Sequence, residues 1–284
     1  MITMIKIFIS CIIFTISYCY SSVIITGNMQ KFCLMNAGSF INNHYREIDT
    51  HSNILYSMSF IQYPAEIQFY EIFFQKSFDS YIISSNFGIL NYGILEDNNN
   101  NQFSAAEQKL ELSIFNINYE SFIYGASAGY VLSKIDDYRS SLLTYNIGFS
   151  KALFRNRFII GMSIEDYSNV IENYSNISES YSSVKKISTE LQPRFLKASI
   201  IMDYINTDTN NWEYVLGMKK IINKNFSFYL GKHFYSDNSD DVSIFDTTAA
   251  GIGLLINNGY KIDLGIQYLT DGIINIGTSL TVIK

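Results

Sequence analysis

Tyr260-Lys261-Ile262-Asp263-Leu264-Gly265-Ile266-Gln267-Tyr268-Leu269 alternates strictly between two kinds of residue. Tyr260, Ile262, Leu264, Ile266 and Tyr268 fall on one side of an extended chain, and Lys261, Asp263, Gly265 and Gln267 on the other. Successive side chains of a strand point to opposite faces, so one face is apolar and the other hydrophilic. The next run repeats this, with Ile274, Ile276, Leu280 and Val282 opposite Asn275, Gly277, Ser279 and Thr281. Asn257-Asn258-Gly259 and Thr270-Asp271-Gly272 read as tight hairpin turns on either side of the first run, since Asn and Gly tolerate positive φ.

Working outward, the same period of two recurs. Phe122, Tyr124, Ala126, Ala128 and Tyr130 oppose Gly125, Ser127, Gly129 and Ser133; Tyr145, Ile147 and Phe149 oppose Thr144, Asn146, Gly148 and Ser150. Further runs lie at 54–61, 66–75, 80–90, 108–117, 156–165, 196–205, 212–219, 225–235 and 247–257. Together these make about 13 strands, and bacterial barrels close with even numbers, so the expectation is an all-β transmembrane antiparallel barrel of about 14 strands over residues 53–284. A soluble sandwich would need charges on its wet face, whereas here that face is mostly Gly, Ser, Thr and Asn. Apolar residues toward lipid and small or polar residues toward a lumen account for the pattern. Tyr119, Tyr130, Tyr235, Tyr260 and Tyr268 then suit an interfacial aromatic girdle.

Composition supports extended structure. The 284 residues are 48% hydrophobic and 15% aromatic, with 22 Tyr and 21 Phe, but only 16% are charged and only 2 are Pro. This excludes a charged helical bundle and a disordered chain. A net charge of −6 with no Lys/Arg run excludes the electrostatic footprint of a nucleic-acid binder.

Lys6 followed by the apolar run Ile7–Ile16 and the small residues Cys19, Ser21 and Ser22 reads as a Sec signal peptide over residues 1–22. Its removal takes Cys11 and Cys19 with it and leaves Cys33 as a lone thiol, with no internal disulfide. No later stretch is apolar for long enough to be a transmembrane helix, and a bilayer accepts only helices or closed barrels. Residues 23–52 form an N-terminal segment able to serve as a plug. Glu96–Gln102, Ser168–Pro193 and Ser236–Asp241 read as polar loops, the second the longest, and Pro193 as preceding a strand. The Asn and carboxylate residues of the first and third lack the spacing of an EF-hand.

Several motifs follow one another in the middle of the chain. Phe87-Gly88-Ile89-Leu90-Asn91-Tyr92-Gly93 reads as a strand ending in an Asn-Tyr-Gly turn before an acidic loop. Gln102-Phe103-Ser104-Ala105-Ala106-Glu107 leads into the next strand, Tyr124–Tyr130 is a Gly-bearing strand, and Tyr138 to Gly148 is a serine-rich turn into another. In this order Phe87 to Glu165 resembles the PorV/PorQ family, outer-membrane barrels of the type IX secretion system whose fold is similar to the fatty-acid transporter FadL. The glycine-rich stretch usual near that family's mature N-terminus is faint here, around Asn36–Phe40. The resemblance implies a cell outer membrane protein that is not an enzyme and assists type IX protein secretion or surface attachment of exported proteins. Its partners would be outer-membrane lipid and secretion-system or cargo proteins meeting the polar loops. The alternative is a FadL-like conduit for hydrophobic solutes, which requires a plug and an apolar lumen.

A third reading, an outer-membrane enzyme such as a phospholipase, requires a nucleophile with a base. Gly125-Ala126-Ser127-Ala128-Gly129 fits the Gly-x-Ser-x-Gly string, but that elbow needs a strand, a sharp turn and a helix, and Ser127 lies inside an alternating run. His44, His51 and His233 are the available imidazoles; none forms a zinc pair, and no phosphate-cradling loop is present. Asp136-Asp137 and Asp240-Asp241 read as solvated turn carboxylates. Sequence therefore nominates no catalytic, metal or cofactor-binding residue.

Overall fold

The computed structural model describes residues 29–35, 54–96, 102–119, 122–155, 157–174, 183–207, 212–234, 247–257, 259–269 and 273–284. A short helix, α1 (Met29–Cys33), is followed by β1 (Ile54–Gln62), β2 (Gln68–Ser77), β3 (Tyr81–Glu96), β4 (Gln102–Tyr119) and β5 (Phe122–Ile135). Next come β6 (Tyr138–Leu153), β7 (Phe158–Glu172), β8 (Val184–Leu191), β9 (Ala198–Thr207) and β10 (Trp212–Asn223). The chain finishes with β11 (Phe226–Phe234), β12 (Thr248–Ile256), β13 (Tyr260–Tyr268) and β14 (Ile274–Ile283). Each strand pairs antiparallel with its sequence neighbours, and β1 pairs with β14 from Leu55 opposite Ile283 to Gln62 opposite Ile276, which closes a fourteen-stranded barrel. Closure leaves no unpaired strand edge, the condition for standing in a bilayer.

The faces are inverted relative to a soluble protein. On β13, Tyr260, Leu264 and Ile266 point outward and exposed, while Asp263, Gly265 and Gln267 point inward and are buried. On β14, Ile274, Ile276 and Leu280 are exposed, with Asn275, Ser279 and Thr281 buried. The same holds on β5 and β6, where Tyr124, Tyr130, Tyr145 and Ile147 face out and Ser127, Thr144 and Asn146 face in. Outward aromatics pack across neighbouring strands: ring centroids lie 5.1 Å apart for Tyr56 and Phe74 and 5.2 Å for Phe60 and Tyr70. Tyr260 begins β13 as a girdle residue should, but Tyr130 stands within β5, away from its end.

Three readings of the sequence are corrected. The segment 168–193 is not one long loop: β7 runs on to Glu172, and β8 occupies Val184–Leu191 and pairs with β7 and β9. Lys186, Ser188 and Glu190 on its buried face and Lys185 and Thr189 on the other disguise its alternation. Pro193 lies in the turn after β8. Asn91-Tyr92-Gly93 does not end a strand either. The register of β3 against β4 shifts between Asn91 and Ile94, a β-bulge, with Gly93 at φ 74° donating its N–H to Asn91 Oδ1 at 2.9 Å. The first polar loop is correspondingly shorter, because Glu96 ends β3, Gln102 begins β4, and Gln102 Nε2 donates to Glu96 Oε1 at 2.9 Å. The signal segment 1–22, the loop 236–241, most of 23–52 and the turn 270–272 lie outside the described residues.

The two longest connections, β7–β8 (173–183) and β11–β12 (235–247), leave the same rim, which also carries the β3–β4 connection; the opposite rim, where β1 begins and β14 ends, carries connections such as 78–80, 154–157 and 257–259.

Candidate functional site

The inward face of the wall carries two environments. The first surrounds α1. Five residues are too few to hold a helix alone, so its conformation depends on packing against the wall. Leu34 N–H donates to Gln30 O at 3.0 Å, and Met35, at φ 53°, ends the helix in the left-handed region. Gln267, fully buried, donates from Nε2 to Phe32 O at 2.9 Å, and Asn275 Nδ2 donates to Gln267 Oε1 at 3.3 Å. Lys219 Nζ donates to Gln30 Oε1 at 2.9 Å. The wall is cut back to receive the helix. A Cβ on Gly251 would overlap the Cys33 sulfur, and one on Gly231 would overlap the backbone of Leu34. The glycines of the small-polar face are thus, at these two positions, the seat of α1.

Phe32, Cys33, Leu34 and Met35 join Ile61, Tyr63, Phe69, Leu90, Ile201, Val215, Tyr229 and Ala249 in one buried apolar cluster. Ile61 lies at the end of β1 and Tyr63 just after it, and Ile205 and Leu269, which pack against the cluster, lie near the end of β9 and just after β13. The cluster therefore sits toward the rim that carries the longer connections. Each fully buried large apolar side chain contributes roughly 1.5–3 kcal/mol, so the island holds α1 firmly. Burial pushes the Cys33 thiol up to about 12, with Asp263 adding to the rise and Lys261 opposing it.

The second environment is charged. Lys109 Nζ lies 2.8 Å from Glu111 Oε2 and 4.0 Å from Asp166 Oδ1. Lys186 Nζ lies 2.8 Å from Asp203 Oδ2, both groups almost wholly buried. Ser133 Oγ donates to Glu107 Oε2 at 3.1 Å. The register of β6 against β7 shifts between Tyr145 and Ile147; opposite it Asp166, at φ 55°, donates its N–H to Asn146 Oδ1 at 2.6 Å. The bulge thereby turns the Asp166 carboxylate toward Lys109.

Of the residues weighed from sequence, Ser127 points into the lumen and accepts a hydrogen bond from Asn146 Nδ2 at 2.7 Å. His233, the one histidine among the described residues, lies on β11 with its Nε2 2.9 Å from Glu213 Oε2. The structure does not bring these two together. Asp136 and Asp137 form a two-residue hairpin between Ile135 and Tyr138, as their solvated reading requires. His44, His51 and Asp240-Asp241 lie outside the described residues. Sequence reasoning missed the charged belt. Its signal was present in the alternation itself, since Lys109, Glu111 and Ser113, like Lys186, Ser188 and Glu190, fall two apart on the hydrophilic face.

No protein-family model matches the sequence, and no curated protein matches it either. Solved structures do resemble the fold. The crystal structure of a Pseudomonas aeruginosa FadL homologue matches at a TM-score of 0.54 and 9% identity, over 90% of this chain and 97% of that one. The Pseudomonas putida toluene transporter TodX matches at 0.50 and 7% identity, over 83% and 89%. At such identities the likeness establishes a FadL-like barrel fold and nothing finer.

Proposed function

We propose that the protein is an outer-membrane passage for small, partly apolar solutes, closed toward one rim by its own N-terminal segment. The observation that carries this reading is the apolar island, a contiguous cluster of aliphatic and aromatic side chains built by residues 32–35 of the N-terminal segment and eight residues of the barrel, inside a lumen whose wall is otherwise mostly small and polar, with scattered apolar residues such as Ile82, Phe115 and Val131. A polar lumen alone gives an aqueous pore; an apolar patch shared between the wall and a docked N-terminal segment gives a place where a hydrophobic solute competes with the segment for the same wall. Export by a signal at residues 1–22 and residence in the outer membrane belong to this reading, as does transport without catalysis. In bacterial barrels short turns face the periplasm and longer loops the exterior, which puts α1 toward the cell surface.

The test is uptake into liposomes carrying the refolded full chain. Gly251→Leu, which leaves no room for Cys33, should raise the rate of toluene entry above that of the wild-type barrel. Equal rates, with folding intact, would remove the gating role of α1.

A second reading, a secretion-associated role like that of the PorV/PorQ family, is favoured by the gathering of the β3–β4, β7–β8 and β11–β12 connections at one rim. Loops on a rigid scaffold are where a soluble partner docks. This reading leaves the apolar island without a task, and we rank it second.

A further inference from the structure

Three neighbouring hairpins, β6–β7, β8–β9 and β10–β11, turn at the rim where β1 begins and β14 ends. They carry Lys151-Ala152-Leu153-Phe154-Arg155-Asn156-Arg157, Arg194-Phe195-Leu196-Lys197 and Lys220-Ile221-Ile222-Asn223-Lys224. These stretches hold seven of the chain's 20 Lys and Arg and no carboxylate, in a protein whose net charge is −6. The turns at 78–80 and 257–259 on the same rim carry no Lys or Arg, and the hairpins of the opposite rim carry Glu66, Asp136 and Asp137. Positive charge is therefore concentrated in one sector of one rim.

The side chains beside these bases are apolar and uncovered. Phe154 is 78% and Phe195 84% exposed, and Leu196, Ile221 and Ile222 are exposed as well. The β6–β7 turn holds Phe154 at φ 53° and Arg155 at φ 60°, in the left-handed region that hairpin turns ordinarily give to Asn and Gly. Backbone strain of this kind gathers at positions whose side chains have a task.

Below the turns, Lys151 continues the outward row of Ile147 and Phe149 on β6, and Lys220 continues that of Tyr214 and Leu216 on β10. A lysine at the end of a lipid-facing row lays its stem along apolar surface and lifts its head to the polar interface. That placement suits the headgroups of the leaflet around the barrel, and a soluble acidic protein does not reach it beneath lipid.

We infer that this sector of the rim binds anionic phospholipid headgroups of the surrounding leaflet, with Arg155, Arg157 and Arg194 on the phosphates, Lys151 and Lys220 beneath them, and Phe154 and Phe195 set into the boundary between headgroups and acyl chains. Guanidinium forks match phosphate oxygens two at a time, and each basic residue close to an anionic leaflet adds to the attraction. The inference is independent of what the lumen passes.

Native mass spectrometry of the full-length refolded protein in nonionic detergent, titrated with phosphatidylglycerol or phosphatidylcholine of the same acyl chains, tests it. Phosphatidylglycerol should bind about tenfold more tightly, a preference within reach of a few basic residues. Replacing Arg155, Arg157 and Arg194 together by Gln should bring the two lipids to equal affinity, while Lys134→Gln with Arg139→Gln, at the opposite rim, should leave the preference as it was. Phe154→Ser with Phe195→Ser should weaken both lipids alike and keep the preference. Equal affinity in the wild-type barrel, a preference that survives the triple replacement in a folded barrel, or one lost equally on changing the opposite rim would overturn the inference. Tighter binding of a hexaglutamate peptide than of phosphatidylglycerol would overturn it too, and assign the sector to an acidic protein.

Discussion

Leu264 and Gln267 stand three residues apart on β13 and meet different surroundings. Leu264, at the middle of the strand, points outward and is 47% exposed; Gln267 points inward, is fully buried and holds the carbonyl of Phe32. An arginine introduced at Leu264 meets hydrocarbon and should cost the barrel roughly 2–4 kcal/mol near the bilayer midplane. Gln267→Arg meets α1, so its damage should fall on the seating of the helix. Cys33 reports the difference. With its thiol pushed up to about 12 by burial, it holds almost no thiolate near neutral pH and should resist alkylation in the native protein. Folding titrations in lipid vesicles, paired with iodoacetamide labelling, should find Leu264→Arg unstable with Cys33 protected while folded, and Gln267→Arg folded with Cys33 reactive. Protection of Cys33 in both would mean that Gln267 does not seat the helix.

At the level of elements, β8 shows what alternation reveals and what it hides. Its buried face includes Lys186 and Glu190, and Lys186 is paired 2.8 Å from Asp203 on β9. Removing one partner of a buried pair strands the other charge at about 3–5 kcal/mol, whereas replacing both with apolar residues is often neutral. Lys186→Met should therefore destabilise the barrel by that amount in urea unfolding, and Lys186→Met with Asp203→Leu should recover most of it; no recovery would mean that the pair does not govern the seating of β8. Elements with an apolar outward face, such as β13 and β14, were legible from sequence because lipid demands one chemistry along that whole face. β8 was not, since Lys185 and Thr189 break its lipid side and charges fill its inner side. The bulge at Asn91–Gly93 was misread for a similar reason, as Asn and Gly serve hairpins and bulges alike. The seat of α1 at Gly231 and Gly251 could not be read at all, because the residues it accommodates lie about two hundred positions away in the chain.

For the molecule as a whole, the barrel and its inverted faces fix a membrane architecture, and two functional readings follow from different parts of it. Export comes first for both. The Ile7–Ile16 run behind Lys6 should be cleaved near residue 22, and mass spectrometry of the membrane-extracted protein should find its N-terminus there; an intact Met1 in that fraction would contradict export by this signal. The two readings then separate in a single deletion strain. The passage reading draws on the interior, where α1 and the apolar island occupy the lumen, and it requires that loss of the gene slow the entry of small apolar or amphipathic solutes while surface proteins stay in place. The secretion reading draws on the rim, where the β3–β4, β7–β8 and β11–β12 connections gather, and it requires the reverse, with surface-attached proteins mislocalised and solute entry unchanged. A barrel wall facing lipid cannot itself meet a soluble cargo, so a rim-based function should be lost when those connections are shortened, even with α1 intact. Comparing labelled-solute uptake with the surface proteome in the deletion strain decides between interior and rim. Slowed uptake with normal surface proteins is the expected result, and mislocalised surface proteins with normal uptake would replace it with the secretion role.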